Sequence, residues 1–344
     1  MLETRKNPPR KLQTDQLRFS FVIANFNYGR FLTRAIDSAL GQDWEDIEVI
    51  VVDDGSTDDS KSVIDAYGEQ ITAIFQPNSG QRIANNAGFA HSTGDVVVFL
   101  DADDVVDPHF ARAVAQEWQH GLSKVQVLME RVDAEERPLG SLVPPISHAP
   151  APAAIRKWAA KTSEYPTPPG SGNAYSRQFL DRLFPLGPEH DGSTDSTCLA
   201  LAPFLGDVLT IAQPLALYRQ HGSNDSDLFA DRKRFGREVG RAMLRQRSAE
   251  RICEEAGVTG PEPDCLRLGW HLLQLRIASL RTDPHSHPFP GDTRPSMLYD
   301  CVRSILAGGF ESPQKRILAL LWSLATLFAP HDLAAALIRR RFSV

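Results

Sequence analysis

The chain has 344 residues, 42% hydrophobic and 23% charged, which excludes a wholly disordered, collagen-like or polytopic membrane protein and suits two folded units or one large α/β unit with an appendage. The formal net charge of −6 hides an asymmetry: residues 43–107 hold fifteen acidic side chains against Lys61 and Arg82, whereas residues 229–344 hold eighteen basic and twelve acidic ones. Packed carboxylates repel one another, so the first block calls for a cation nearby, while the second suits an anionic partner other than nucleic acid.

In chain order, residues 1–18 are polar, contain Pro8-Pro9 and lack the apolar run of a secretory signal, so a disordered arm is expected. RFSFVIANF reads as a buried strand, and FLTRAIDSAL as a helix with Phe31, Ala35 and Ala39 on one face. IEVIVVDDGS is a second strand ending in a turn. A short helix over 61–67, strand ITAIF, helix GQRIANNAGFAHSTG, strand DVVVFL and the acidic turn DADD follow. Four strands in line, buried on both faces, predict a largely parallel sheet whose ligands bind beyond the carboxyl ends of the strands.

Residues 138–152 form a Pro-rich crossing, and PTPPGSGNAYSRQFLDRLFPL reads as a loop, a small-residue turn and a helix start. STDSTCLALAPFLG is a helix capped by Ser193 or Thr194, and GDVLTIAQPLALYRQHGSND is two short strands divided by Pro214. Beyond Leu228 the pattern is helical almost throughout. Its most apolar segment, ILALLWSLATLFA, falls short of the ~20 residues a spanning helix needs. The expected organisation is an arm over 1–18, an α/β unit over 19–228 and a helical region over 229–344. Cys198, Cys253, Cys265 and Cys301 are far apart without a C-x-x-C pair, which argues against zinc or a disulfide framework and for a reducing cytoplasm.

Three strand ends carry the chemistry: Asn25-Phe26-Asn27-Tyr28, Asp53-Asp54-Gly55-Ser56 and Asp101-Ala102-Asp103-Asp104. Parallel strands put all three on one rim. DDGS alone is also what an Asx turn requires. Three carboxylates within four residues after VVVFL need compensation, and their all-oxygen character favours Mg²⁺ or Mn²⁺ shared with phosphates over zinc.

The strings FSFVIANFNYGRFLTRAIDSALGQDWEDIEVIVVDDGSTDDS and NSGQRIANNAGFAHSTGDVVVFLDADD, in that order and spacing, resemble the nucleotide-diphospho-sugar domain of family 2 glycosyltransferases over residues 19 to about 227. The resemblance implies a GT-A fold: α/β, Rossmann-like, with a mainly parallel sheet and flanking helices, followed here by an α-helical C-terminal region. It implies an inverting transferase that moves a sugar from a nucleotide-sugar, UDP-sugar foremost, to a hydroxyl of a glycan or lipid-linked glycan, in the manner of bacterial surface-polysaccharide or glycolipid synthesis.

By that resemblance Asp54 meets a uracil-type base, Asp101 faces the ribose or metal, and Asp103 holds Mn²⁺ or Mg²⁺ on the diphosphate, with Asp104 behind. Asn25, Asn27, Gly80, Gln81, Asn85 and Ala102 fall in the donor-binding segments. His221 of the R-x-H-G segment is a further donor or metal contact. Asp195 at a helix start is the expected general base, with Asp191 and Glu189 as alternates, because Thr194 replaces the acidic residue that usually precedes it. The bland account of Asp195 is a favourable charge at a helix N-terminus. Gly172-Asn173 matches a turn beside sugar and acceptor. The base-contacting arginine of many relatives has no counterpart in Ala84-Asn85-Asn86, and Arg82 is only a neighbour.

Two rivals remain. A sugar-phosphate nucleotidyltransferase would want a Gly-rich, basic loop after the first strand, which ANFNYGR does not supply. A non-catalytic sugar-nucleotide-binding protein is opposed by the complete D-x-D and favoured by the altered base motif. At the C-terminal end, residues 314–341 combine apolar helix with Lys315-Arg316 and Arg339-Arg340-Arg341. They suit either a helical bundle or a peripheral seat on the inner face of a membrane, close to a lipid-linked acceptor.

Overall fold

The computed structural model describes residues 16–190, 193–221 and 233–342. Its centre is a nine-stranded sheet of β1 (Phe19–Asn25), β2 (Ile47–Asp53), β3 (Thr72–Phe75), β4 (Val96–Asp101), β5 (Val105–Val106), β6 (Leu122–Val132), β7 (Pro138–Val143), β8 (Asn173–Ser176) and β9 (Asp207–Arg219), in the order β3-β2-β1-β4-β8-β6-β9-β5 with β7 on β6. β1 to β4 run parallel, whereas β8 is antiparallel to both β4 and β6. The sheet is therefore mixed rather than wholly parallel.

Helices α1 (Gly29–Leu40), α2 (Ser60–Asp65), α3 (Gln81–His91), α4 (Phe110–Glu117), α5 (Pro152–Thr162), α6 (Arg177–Leu180) and α7 (Thr194–Leu205) flank it. The period of two decides which face each strand residue covers. Phe19, Phe21 and Ile23 join Val96 and Val98 against Leu32 and Ile36 of α1. Val22, Val52 and Val97 join Ala84 and Phe89 of α3 on the other face.

Two expectations need correction. Pro214 does not divide two strands: β9 is one 13-residue strand, and the missing N–H is absorbed where its register against Leu128 of β6 shifts. The Pro-rich crossing contains an edge strand, β7, followed by α5 with Pro152 in its first turn, where a proline is tolerated. At the other end, Leu17 and Arg18 are part of the folded unit. Leu17 is buried, its carbonyl accepts from Trp44 Nε1 at 2.7 Å, and the Arg18 amide donates to Asp95 at 3.1 Å. The boundary expected at residue 228 lies outside the described residues.

The C-terminal region consists of α8 (Arg234–Glu255), α9 (Cys265–Leu268), α10 (Trp270–Thr282), α11 (Arg294–Ala307), α12 (Pro313–Phe328) and α13 (His331–Phe342). α8 packs on α7 and on α10, which ties the bundle to the sheet unit. The buried guanidinium of Arg276 in α10 donates to Asp292 and, at 2.8 Å, to Asp300 of α11. On α12 the buried residues are Ser323, Thr326 and Leu327, while Ile317, Leu318, Leu321 and Phe328 are exposed. Among the described residues no helix is long and apolar enough to cross a membrane.

Candidate active site

The register of the parallel strands builds the rim. Asn25 at the end of β1 sits opposite Asp53 of β2, and Ala24 sits opposite Asp101 of β4. Asn25 Nδ2 donates to Asp53 Oδ1 at 2.8 Å and to Ser56 Oγ at 3.1 Å, tying the first two strand ends together. Asn27 adopts a left-handed φ of 59°, which Asn tolerates better than most residues, and its Oδ1 accepts from the Thr57 amide at 2.7 Å. Asn25 lines the cavity described below, whereas Asn27 braces its edge from outside.

Asp54 is buried. Its carboxylate accepts from Gln76 Nε2 at 2.7 Å, the Ser79 amide at 2.9 Å and the Gly80 amide at 2.7 Å. With three of roughly four acceptor positions used, Asp54 holds the 76–80 loop and keeps one for a ligand donor. Gly80 and Gln81 follow on that loop, and Gln81 Nε2 donates to Asp101 Oδ1 at 3.2 Å.

In the acidic turn, Asp104 points away from the cavity, accepting from Ser171 Oγ at 2.7 Å and the Arg219 amide at 3.0 Å. His221 Nε2 lies 2.9 Å from Asp103 Oδ2, and the imidazole stacks on Phe31 at 5.0 Å. Asp195 comes from the first turn of α7, where its Oδ1 accepts from Ser193 Oγ and, at 2.7 Å, from the Ser196 amide. Gly170 brings it to Asp101: a Cβ on Gly170 would lie 3.4 Å from Asp101 Oδ2 and 3.8 Å from Asp195 Oδ2. The glycine facing the carboxylates is thus Gly170. Gly172 instead packs where a Cβ would collide with Pro168, and Asn173 donates to the Pro169 carbonyl and accepts from Lys124 Nζ.

These groups surround a cavity of about 650 Å³ at the carboxyl edge of the sheet, lined among others by Asn25, Asp54, Gly80, Asp101, Asp103 and Asp195, together with Gln81 and Ala102. Its electrostatics are those of crowded carboxylates. Burial first, then the charges of Asp104, Asp103 and Asp195, hold the Asp101 carboxyl well above the usual range. Burial and Asp103 push Asp104 up to about 8. Lys124 offers little relief, since burial holds its ammonium well below the ordinary lysine value.

Crowded oxygen donors such as Asp101, Asp103 and Asp195, which converge on one cavity, fit a hard divalent cation. The expected trio of Asp101, Asp103 and His221 is nevertheless not a ready cage. Among the described residues no three His, Cys, Asp or Glu side chains are arranged to hold a metal, and His221 is the hydrogen-bond partner of Asp103.

Among the described residues, the expected Asn85, Glu189 and His221 do not line this cavity. Asn85 is buried, and its Nδ2 donates to Thr194 Oγ1 at 3.0 Å, so it positions the start of α7 rather than the donor. Glu189 is exposed beside Arg251 and His190. Asp191 lies outside the described residues. Arg82 is occupied by the Leu186 carbonyl at 2.9 Å.

The sequence of residues 20–184 matches the signature of glycosyl transferase family 2. An uncharacterized glycosyltransferase of Nostoc sp. strain PCC 7120 is 38% identical over 218 residues, 61% of this chain and 66% of that protein. Residues 20–184 belong to glycosyl transferase family 2. The chain spans just under two thirds of the Nostoc relative, and 28% and 27% of the length of two further relatives. Among solved structures, the mannosyltransferase PcManGT from Pyrobaculum calidifontis, in complex with GDP-Man and Mn²⁺, superposes with a TM-score of 0.52 at 19% identity, covering 94% of this chain and 85% of that one. Residues 1–349 of S. aureus TarS, in complex with UDP-GlcNAc, give 0.51 at 16% identity, covering 94% and 92%. At such identities the likeness concerns the fold, including the helical C-terminal region behind the family 2 sheet.

One wall of the cavity comes from residues outside the strand-end motifs. Arg234, Glu238 and Arg241 of α8 and His271 and Leu275 of α10 line the cavity from the C-terminal region. Their spacing of three and four residues places each set on one helical face. A mixed polar stripe at that spacing was the available signal, and the strand-end motifs overshadowed it.

Proposed function

We propose that this chain is an inverting glycosyltransferase that moves a sugar from a nucleotide-diphospho-sugar to the hydroxyl of a glycan or lipid-linked glycan. The observation that carries the reading is the convergence of Asp101, Asp103 and Asp195 on one cavity, with Gly170 leaving the space between Asp101 and Asp195 open. PcManGT with GDP-Man and TarS with UDP-GlcNAc support a nucleotide-sugar donor of uridine or guanosine type.

Asp195 accepts the proton of the acceptor hydroxyl. The acceptor oxygen bonds to the anomeric carbon from the face opposite the diphosphate, and the bond from that carbon to the phosphate oxygen breaks with its electron pair on the nucleoside diphosphate. The product carries the inverted anomeric configuration. Asp101 and Asp103 are the residues that would hold a Mn²⁺ or Mg²⁺ ion, which when bound supplies positive charge to the leaving diphosphate. Asp54, Gly80 and Gln81 form the wall for the nucleoside.

The exposed apolar side chains of α12, with Lys315 and Arg316 at its start, support peripheral seating at a membrane through residues 314–341.

Release of UDP and GDP is measured over a panel of nucleotide-sugars, with and without Mn²⁺ and Mg²⁺, for the wild type and Asp103→Ala. Cation-dependent release that the variant loses is the expected result. Donor binding without release in the presence of varied acceptors points to a non-catalytic binding protein, and formation of a nucleotide-sugar from sugar phosphate and UTP or GTP points to a nucleotidyltransferase.

A further inference from the structure

A second cleft of about 840 Å³ lies between α10, α12, α13 and the segments 143–145 and 164–167, within the ~300–1,000 Å³ range of ligand pockets. Its walls are mostly apolar, with Tyr165, Trp270, Phe310, Leu318 and Trp322 among them. Its charged lining is four cations, Lys315, Arg316, Arg340 and Arg341, against Glu164 and Glu311.

Arg341 is the most telling of these. Its Nε donates to the neutral Gln274 Oε1 at 3.1 Å, and among the described residues no carboxylate lies within ion-pair distance of its guanidinium. At the mouth, Leu318 is 65% exposed and continues into Ile317 and Leu321 on α12 and Leu306 on α11, an apolar surface of the kind found at interfaces.

The cleft is separated from the carboxylate cavity by α10. His271 lies in the wall of both, while Gln274 faces the cleft and Leu275 the carboxylate cavity.

We infer that this cleft binds an amphiphile with a phosphate headgroup on an apolar chain, and that it anchors the lipid end of the acceptor outside the carboxylate cavity. Its role as acceptor anchor rests on the glycosyl-transfer reading above, whereas the binding does not. The chain of the amphiphile enters past Leu318 and lies against Trp270 and Trp322. Its phosphate meets Arg340 and Arg341, whose planar guanidinium groups match phosphate oxygens in pairs of charge-assisted hydrogen bonds. A headgroup at Arg341 is then beside His271, one helix away from Asp195.

The test is calorimetric titration of the full-length protein with monomeric farnesyl phosphate, farnesol, inorganic phosphate and phosphatidylglycerol vesicles, with UDP and Mn²⁺ titrated separately. Farnesyl phosphate is expected to bind at one site, at least tenfold more tightly than farnesol, with inorganic phosphate alone undetected. The double variant Arg340→Gln/Arg341→Gln should erase the preference for the phosphate, and Ala319→Phe, which narrows the cleft, should weaken both prenyl ligands at least tenfold.

Equal affinity for farnesol and farnesyl phosphate overturns the headgroup assignment. Binding to vesicles without binding of monomeric farnesyl phosphate overturns the cleft in favour of a surface contact, and phosphate binding without the chain overturns it in favour of a plain anion site. The wild-type comparison decides these points even where a variant fails to fold. Should UDP fail to bind while farnesyl phosphate binds as expected, the transfer reading falls and the cleft stands.

Discussion

β4 and α12 are both apolar segments, and they bury opposite halves of themselves. Val96, Val97 and Val98 of β4 are fully buried because α1 and α3 cover the two faces of the sheet. On α12 the side chains with no solvent exposure are Ser323, Thr326 and Leu327, and Leu318 and Leu321 are more than half exposed. A strand inside a covered sheet has no alternative to burial. A helix at the edge of a bundle has two faces to choose from, and apolar content alone does not say which one turns inward. What holds the second region together is partly ionic: Arg276, fully buried, reaches Asp292 and Asp300, and His287 Nε2 lies 3.0 Å from Asp292 Oδ2.

The sharpest separation of the two regions is catalytic. Asp195→Asn is expected to lower turnover by ~10²–10⁴, the range for loss of general-base assistance, while leaving donor affinity unchanged. Steady-state kinetics beside UDP titration checks this, and near wild-type turnover would move the base elsewhere.

Next in size is Asp292→Ala. It leaves the Arg276 guanidinium in the bundle interior without its bidentate partner, and loss of one member of a buried pair costs ~3–5 kcal/mol. Urea unfolding should show that loss confined to the C-terminal helices, with the far-ultraviolet signal of the sheet unit persisting to higher denaturant. A destabilisation under ~0.5 kcal/mol, the level of an ordinary surface substitution, would show that the ionic cluster does not hold the bundle.

These two sites also show what was legible in advance. β1 to β4 and the three acidic or amide-rich strand ends could be read because continuous apolar runs ending in Asp, Asn and Gly have few other solutions. Asp101 and Asp103, at and just beyond the end of β4, line the cavity. β6 and β8 were not legible, since Lys124, Gln126 and Asn173 interrupt their apolar pattern. Those polar groups are buried only because they satisfy one another and the 166–170 loop: Lys124 Nζ to Asn173, Gln126 Nε2 to the Pro166 carbonyl. The Arg276 cluster was hidden for a similar reason. Its members are sixteen and twenty-four residues apart, and nothing local in the sequence marks them as partners. Gly170 was passed over for Gly172, two residues along, because both occupy the same small-residue turn.

A smaller effect is expected at the junction of the two regions. Glu164, before the sheet unit's β8, accepts from the backbone amides of Leu272 at 2.8 Å and His271 at 3.3 Å at the start of α10. Burial raises its carboxyl to about 7. The unfolded value is ~4.3, so the folded state binds the proton more tightly, and this contribution is fully present below pH ~4.3 and is lost as pH rises through about 7. The melting temperature should therefore decline from pH 5 to 8, by the equivalent of roughly 1–2 kcal/mol for a partly exposed group. Glu164→Gln should flatten that decline. An unchanged slope in the variant would assign the pH dependence to other groups.

The smallest expected effect tests the inverted helix itself. Thr326 has no solvent exposure, and among the described residues its Oγ1 has no hydrogen-bond partner, which carries a desolvation cost of ~1–3 kcal/mol. Thr326→Val keeps the shape and removes the hydroxyl, so it should stabilise the protein by about 1 kcal/mol, or roughly 2–4 °C in melting temperature. The opposite swap in the sheet, Val98→Thr, places a hydroxyl within a fully buried apolar cluster and should destabilise by ~1–3 kcal/mol. Leu321→Thr, on the exposed face of α12, should stay within about 0.5 kcal/mol in solution, because that side chain loses little burial. If Thr326→Val lowered the melting temperature while Leu321→Thr lowered it further, α12 would be buried in the ordinary sense, with its leucines covered in solution by something other than this chain. The contrast with β4 would then disappear.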